Sequence, residues 1–448
     1  MRPGKVSLRL ADAVALFLLF LLPFMLVVGT GEGTETRAGM VFWVLFLLPL
    51  LFLPWFLASR APDETAGSPR VPAGESAEDA ARSEALAGAV APVVDVERSY
   101  VRAGVPIVEG RLRVDRAQAF ARLEQALAPE RRMPLLEALR GGAVRVMGLP
   151  VAVDAALRRP SSLWINLVLF IATVLTTIFA GALHRGVNLL NDPSQFLIGL
   201  PYAAALLGIL GVHEMGHFVV ARRRGVEVTW PYFIPLPMGL GTLGAFIQMK
   251  SMIKSRRAIF DIGIAGPLAG LVVALPALYF GLQDAEPAPR GATQGVHAGA
   301  SVLLALLYQL GHGGSLAEAA DSVVRLSPMA LAGWIGLVIT ALNLLPVGQL
   351  DGGHIAYALF GRRHARTIGI VTVLAMVGLG LTVWPGLLTW ALLVALIAGF
   401  SHMPAADDMT APDAKRYALG AVALVLLLLI MIPLPGAMRG MMLDCPYL

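Results

Sequence analysis

The sequence predicts a polytopic α-helical membrane protein of about nine spans. It carries a small α+β soluble domain and a re-entrant, β-like loop at its candidate site. Three observations lead there. Of the 448 residues, 57% are hydrophobic and only 15% are charged, against about 25% charged in an average soluble domain. Many apolar runs approach the roughly 20 residues a helix needs to cross a bilayer. Between residues 59 and 162 that pattern gives way to polar, shorter-period sequence. The net charge is +5. Lys and Arg gather at the ends of apolar runs, which sets orientation in a membrane. No basic stripe interleaved with aromatics is present, so nucleic acid is not an expected partner. The single cysteine, Cys445, excludes an intramolecular disulfide and any Cys-based zinc site.

Taken in order, residues 1–58 form a transmembrane hairpin, with spans near Asp12–Thr30 and Gly39–Ala58. Arg2, Lys5 and Arg9 place the N-terminus in the cytoplasm. No plastid-type leader is recognisable, so the expected setting is a bacterial inner membrane. Residues 59–162 are a linker and a small cytoplasmic α+β domain. Ala61–Pro92 is rich in Ala, Gly, Pro, Ser and Glu and reads as flexible. Val105–Val114 and Ala143–Val151 read as strands. Asp115 is placed to cap a helix over Arg116–Leu127.

Residues 163–361 hold the third to sixth spans, near Leu163–Leu183, Phe196–Val220, Ile262–Leu282 and Met329–Leu345. Between the fourth and fifth, Trp230–Lys250 is apolar but broken by Pro231, Pro235, Pro237, Gly239, Gly241 and Gly244. A continuous helix is excluded there. Irregular backbone at membrane depth must be enclosed by protein or line a wet cavity. The segment therefore reads as a re-entrant hairpin with a short strand at Gly244–Met249. Ser301–Leu310 is too short to span. Residues 362–448 add three spans, near Thr367–Val383, Gly386–Phe400 and Tyr417–Ile432.

The fourth span contains His213-Glu214-Met215-Gly216-His217. In a helix the two imidazoles lie one turn apart on one face, the spacing of two zinc ligands, with Glu214 beside them as general base. Ionisable groups are expensive within a bilayer and point to function there. Arg222-Arg223-Arg224 follow at once and face the cytoplasm. Catalytic zinc takes three protein ligands and keeps one position open. Asp351, on the same side at the Pro- and Gly-broken end of the sixth span, is the expected third; read alone, it equally suits a turn before Gly352-Gly353. Zinc held this way polarises a carbonyl and acidifies water, and Glu214 relays the proton: the parts of peptide hydrolysis. His354 reads as structural.

His213–His217, Gly266-Pro267-Leu268-Ala269-Gly270 and the Asn343–Gly353 run around Leu350-Asp351-Gly352 occur in this order on membrane segments. Together they resemble the site-2 protease family of intramembrane zinc metalloproteases. The likeness covers about residues 163–361. Val105–Leu127 is more weakly similar to the soluble domain of the family's chloroplast and bacterial members, and there is no PDZ-like insertion. The resemblance implies one zinc on His213, His217 and Asp351, with Glu214 as base. It places Asn343 near the reacting groups, although Asn343 suits an interhelical hydrogen bond equally well. It further implies that a strand including Gly244, Ala245, Phe246, Ile247 and Gln248 holds unwound substrate. The expected substrates are transmembrane proteins in the lipid bilayer. A catalytically silent zinc-binding scaffold and an ion- or proton-coupled transporter are the competing readings.

Overall fold

Short alternating strands and two amphipathic helices build the soluble domain. A computed structural model describes residues 77–150, 163–236, 239–287, 296–382, 386–400 and 404–434. All lie in the unit Glu75–Leu448. The expected N-terminal hairpin, its orientation and Cys445 fall outside these residues. The soluble domain runs α1 (Ala77–Val90), β1 (Val94–Arg102), β2 (Val105–Leu112), α2 (Arg116–Leu127), β3 (Arg132–Ala138) and β4 (Val144–Pro150). The strands form an antiparallel sheet in the order β1-β2-β4-β3.

Leu86 and Val90 of α1 and Leu123 and Leu127 of α2 share a core with Val108, Leu136 and Val146 of the sheet. The expected flexible linker is thus corrected over its second part. Residues 77–90 are helical because Leu86 and Val90 dock on the sheet, and Glu78 and Asp79 suit the helix N-terminus. The helix over Arg116–Leu127 begins at Asp115 as expected, but the Asp115 side chain makes no capping bond. The expected strands correspond to β2 and β4, while β1 and β3 are additional.

The membrane part opens with α3 (Leu163–His184) and α4 (Leu200–Arg223). Next come the hairpin strands β5 (Tyr232–Pro235) and β6 (Thr242–Phe246), then α5 (Arg256–Gln283). α5 runs on as one helix through Pro267 and Pro276. A three-stranded sheet of β7 (Glu286–Pro287), β8 (Val296–His297) and β9 (Val323–Arg325) follows, with α6 (Val302–His312) and α7 (Leu316–Asp321) between β8 and β9. The described residues end with α8 (Pro328–Leu344), α9 (Asp351–Thr382), α10 (Gly386–Ala398) and α11 (Ala414–Met431). Among the described residues five helical segments are long and apolar enough to span: α3, Pro193–Arg223, α5, α9 and α11. α8 has only 17 residues, but its Ala330, Trp334, Leu337 and Ala341 are buried in the main core beside Leu278 and Leu282. Such an all-round apolar helix belongs inside a bundle.

Candidate metal centre

The i, i+4 geometry of α4 brings the two imidazoles together. His213, Glu214 and His217 are only 5–7% exposed, and the Nε2 atoms of the two histidines lie 3.1 Å apart. Asp351 arrives from a different helix as the first residue of α9. Its Oδ2 lies 3.3 Å from each Nε2. Tetrahedral bonds of about 2.0–2.1 Å put neighbouring donor atoms about 3.3 Å apart. The triangle of His213 Nε2, His217 Nε2 and Asp351 Oδ2 therefore has the dimensions of one face of a zinc tetrahedron. The donor set, two imidazoles and one carboxylate, fits zinc.

Neighbouring groups fix this arrangement. His217 Nδ1 lies 2.8 Å from the backbone oxygen of Ile262. A carbonyl only accepts, so Nδ1 carries the proton and Nε2 is left as the metal-binding lone pair. The third and fourth turns of α5 can lie this close because Gly266 and Gly270 face the histidines. A Cβ on Gly266 would fall on the His217 ring, and one on Gly270 would lie 3.2 Å from His213 Cβ. These small residues thus make room for the imidazoles. Asn343 of α8 brings its Nδ2 to 3.4 Å from His213 Nε2. Glu214 shares the cluster, with ligand atoms of the three α4 residues all within 4.8 Å of one another, and the backbone of Ile247 faces its carboxylate.

A cavity of about 230 Å³ opens beside these groups, bordered by His213, Glu214, His217, Asn343 and Asp351. Ala245, Phe246 and Ile247 form part of its wall, but Gly244 and Gln248 do not. The strand expected at residues 244–249 is β6, Thr242–Phe246. Gln248 lies past its end, where its carbonyl accepts from the Thr229 amide and its amide donates to Thr229 Oγ1, while Gly244 has φ of 107° and its amide donates to Thr242 Oγ1. Gln349, Leu350 and His354 also border the cavity. From sequence, Gln349 and Leu350 are given no role at the site and His354 reads as structural, although His354 lies one turn from Asp351 on the same face of α9.

The hairpin is tied to two helices. At its base, Asn166 of α3 donates to the carbonyls of Trp230 and Pro231, both at 2.9 Å. Near its tip, Thr176 donates to Gly241 O at 2.7 Å, and Tyr202 of α4 donates to Leu240 O at 3.1 Å. β6 pairs with β5 on one edge, and no further strand pairs with it among the described residues.

Fold and site together define a helical membrane protein with a buried two-histidine, one-carboxylate cluster suited to a metal. Residues 201–384 match Peptidase family M50. The chain is 33% identical over 325 residues to probable zinc metalloprotease EGY1, chloroplastic, of Arabidopsis thaliana, covering 66% of this chain and 58% of that protein. Its counterpart in Oryza sativa subsp. japonica is 32% identical over 363 residues, covering 72% and 62%. Probable zinc metalloprotease EGY2, chloroplastic, of Arabidopsis thaliana is 33% identical over 247 residues, covering 54% and 43%. The chain carries a Peptidase M50 (site-2 protease) domain over residues 201–384. It spans about six tenths of the length of the EGY1 relatives. No solved structure matches it. The expected bacterial inner membrane is corrected by these relatives, which are plant proteins named chloroplastic.

Proposed function

We propose that this chain is a zinc metalloendopeptidase that hydrolyses peptide bonds in or near transmembrane segments of membrane proteins. The observation that carries the proposal is the near-equilateral triangle of His213, His217 and Asp351 donors, with Glu214 beside it in a cavity. One zinc held by these three residues supplies a Lewis acid that polarises a peptide carbonyl and makes water more acidic. Glu214 takes the proton of the attacking water and returns it to the leaving amine. To Asn343, whose Nδ2 lies 3.4 Å from His213 Nε2, we assign a hydrogen bond to the reacting carbonyl. The plastid relatives favour a chloroplast membrane as the setting.

The hairpin supports the substrate class. Its anchors on α3, Asn166 and Thr176, are ten residues apart, about 15 Å along a helix axis. In a spanning α3 that is half the hydrocarbon thickness, which supports reading the hairpin as re-entrant. A helical substrate hides its peptide bonds. Pairing with the open edge of β6 stabilises an extended form beside Glu214. Gly244 to Gln248 are the residues we assign to this contact, with Ala245, Phe246 and Ile247 at the cavity wall.

The test is cleavage of a panel of transmembrane-segment reporters in liposomes by the intact protein, by Glu214→Gln and by chelated protein. Cleavage lost in Glu214→Gln while about one zinc per chain stays bound supports the proposal. A chain that binds no zinc, or zinc-loaded Glu214→Gln that cuts as fast as the intact protein, refutes it.

A further inference from the structure

The sheet of the soluble domain does not end at β3. Residues 406–408, from the connection between α10 and α11, run parallel to β3 and extend it. The amide of Leu136 donates to Ala406 O at 2.8 Å, and the amide of Asp408 donates to Leu136 O at 3.1 Å. On its other side the same segment is held by residues 253–254: Ala406 donates to Ile253 O at 3.0 Å and Asp407 to Lys254 O at 2.8 Å. Ser255 then caps α5, the helix whose glycines receive the two histidines. Met409 packs against the soluble domain's core. Two ion pairs flank this seam, Lys254–Glu124 at 2.8 Å and Arg362–Glu137 at 3.6 Å.

The segment also grips α9. Tyr357 is fully buried. Its hydroxyl donates to Asp408 Oδ1 at 2.7 Å and accepts the amide of Ala405 at 2.8 Å. α9 breaks four residues later at Gly361, where φ is 79° and ψ is 168°. The helical carbonyls just before the break are satisfied from outside. Arg256 donates to Ala358 O and Leu359 O at 2.9 and 3.0 Å, and Tyr417 donates to Leu359 O at 2.9 Å. Residues 351–360 are thus a short rod held at its far end, with Asp351 at the other.

We propose that residues 404–410 are a clamp by which the soluble domain sets the placement of Asp351, with Tyr357 as the positioning residue. The hydroxyl of Tyr357 joins the extended sheet to the same rigid helix that presents the carboxylate, six residues or about 9 Å away. The soluble domain is then part of the scaffold that fixes the site. This inference rests on the zinc reading above for what Asp351 does. The connectivity from β3 to α9 does not depend on it.

The experiment uses the full-length protein in detergent, comparing Tyr357→Phe and Asp408→Asn with the parent. Tyr357→Phe keeps the buried ring and removes both hydroxyl bonds. Asp408→Asn keeps an oxygen that accepts from Tyr357. Hydrogen exchange is read in residues 132–138 and 351–360, and zinc loss is read against a chelator. At unchanged melting temperature, Tyr357→Phe is expected to speed exchange in both segments and to release zinc about 5- to 10-fold faster. Asp408→Asn is expected to stay near the parent in both readouts. Exchange in 351–360 unchanged to within twofold in Tyr357→Phe overturns the clamp, as does unchanged zinc release from a protein that holds zinc. If the parent holds no zinc, the metalloprotease reading fails, and exchange in the two segments still decides the clamp.

Discussion

His217 and Gly266 are matched as ring to gap: the imidazole occupies the volume where any side chain at position 266 would begin. The contact places α5 against α4 closely enough for the Ile262 carbonyl to accept a hydrogen bond from Nδ1–H of His217. Gly266→Ala is therefore expected to push the His217 ring off the ligand triangle. Zinc content is expected to fall well below one per chain, while Gly378→Ala, where an added Cβ meets nothing within 4 Å, leaves it unchanged. Metal analysis of the purified proteins checks both.

Asp351 and Glu214 are both carboxylates in one cavity, and they separate by role. Asp351 shares the triangle with the imidazoles, at 3.3 Å from each Nε2. Asp351→Ala removes a ligand and is expected to weaken zinc binding by about 100-fold or more, while Glu214→Gln is expected to change it little. Chelator competition on the two variants tells these apart without any substrate.

The hairpin's hold on α3 predicts a binding defect with an intact metal site. Thr176→Val keeps the side-chain shape and removes the 2.7 Å bond to Gly241 O near the tip. Freed at that end, the β6 edge is expected to lose register. Cleavage of a transmembrane reporter is expected to drop about 5- to 10-fold in kcat/KM through KM, with zinc content unchanged. Steady-state kinetics with paired metal analysis is the check. A loss confined to kcat contradicts it.

The soluble domain carries a pH signature. Glu109 of β2 accepts two bonds from Arg145 of β4 at 2.9 and 2.7 Å and one from Tyr100 of β1 at 3.0 Å. Arg145 holds its carboxyl below the ordinary value, against the opposing effect of burial. Arg98 adds positive charge nearby, and Glu137 faces the same Arg145 from β3. A depressed carboxyl binds fewer protons folded than unfolded, so stability rises with pH through this range. The contribution is present above the ordinary value of 4.5 and is lost as pH falls through the lower folded value. Hydrogen exchange in β2 and β4 is expected to quicken, beyond the intrinsic pH effect, between about pH 5 and 3. In Glu109→Gln that acid-side loss is expected to be smaller.

Much of this was legible in the sequence, for physical reasons that also explain the rest. The spans with α3 and α5 were readable because bilayer-length apolar runs leave little choice. The histidine pair was readable because 3.6-residue periodicity fixes which side chains share a face. β1 and β3 were not. Val94–Arg102 alternates charges with few apolar residues, and β3 contains Pro134, which argues against a strand except at an edge. Ala77–Val90 has a linker's composition, and its helix depends on Leu86 and Val90 finding the sheet. The pairing of Leu136 with residues 406–408 was invisible, since backbone bonds between distant segments leave no side-chain pattern.

That pairing has a consequence for biosynthesis. The strand that completes the sheet is made about 270 residues after β3. At about 5–20 residues per second the soluble domain waits roughly 15 to 55 s for it. Through that interval β3 has an unfilled edge, and over the last 50 residues or so of it the Asp351 helix, already made, has no latch at Tyr357. Both histidines are thus made about 190 residues before residues 406–408, and the latch forms only after ten of the eleven described α-helices have been made.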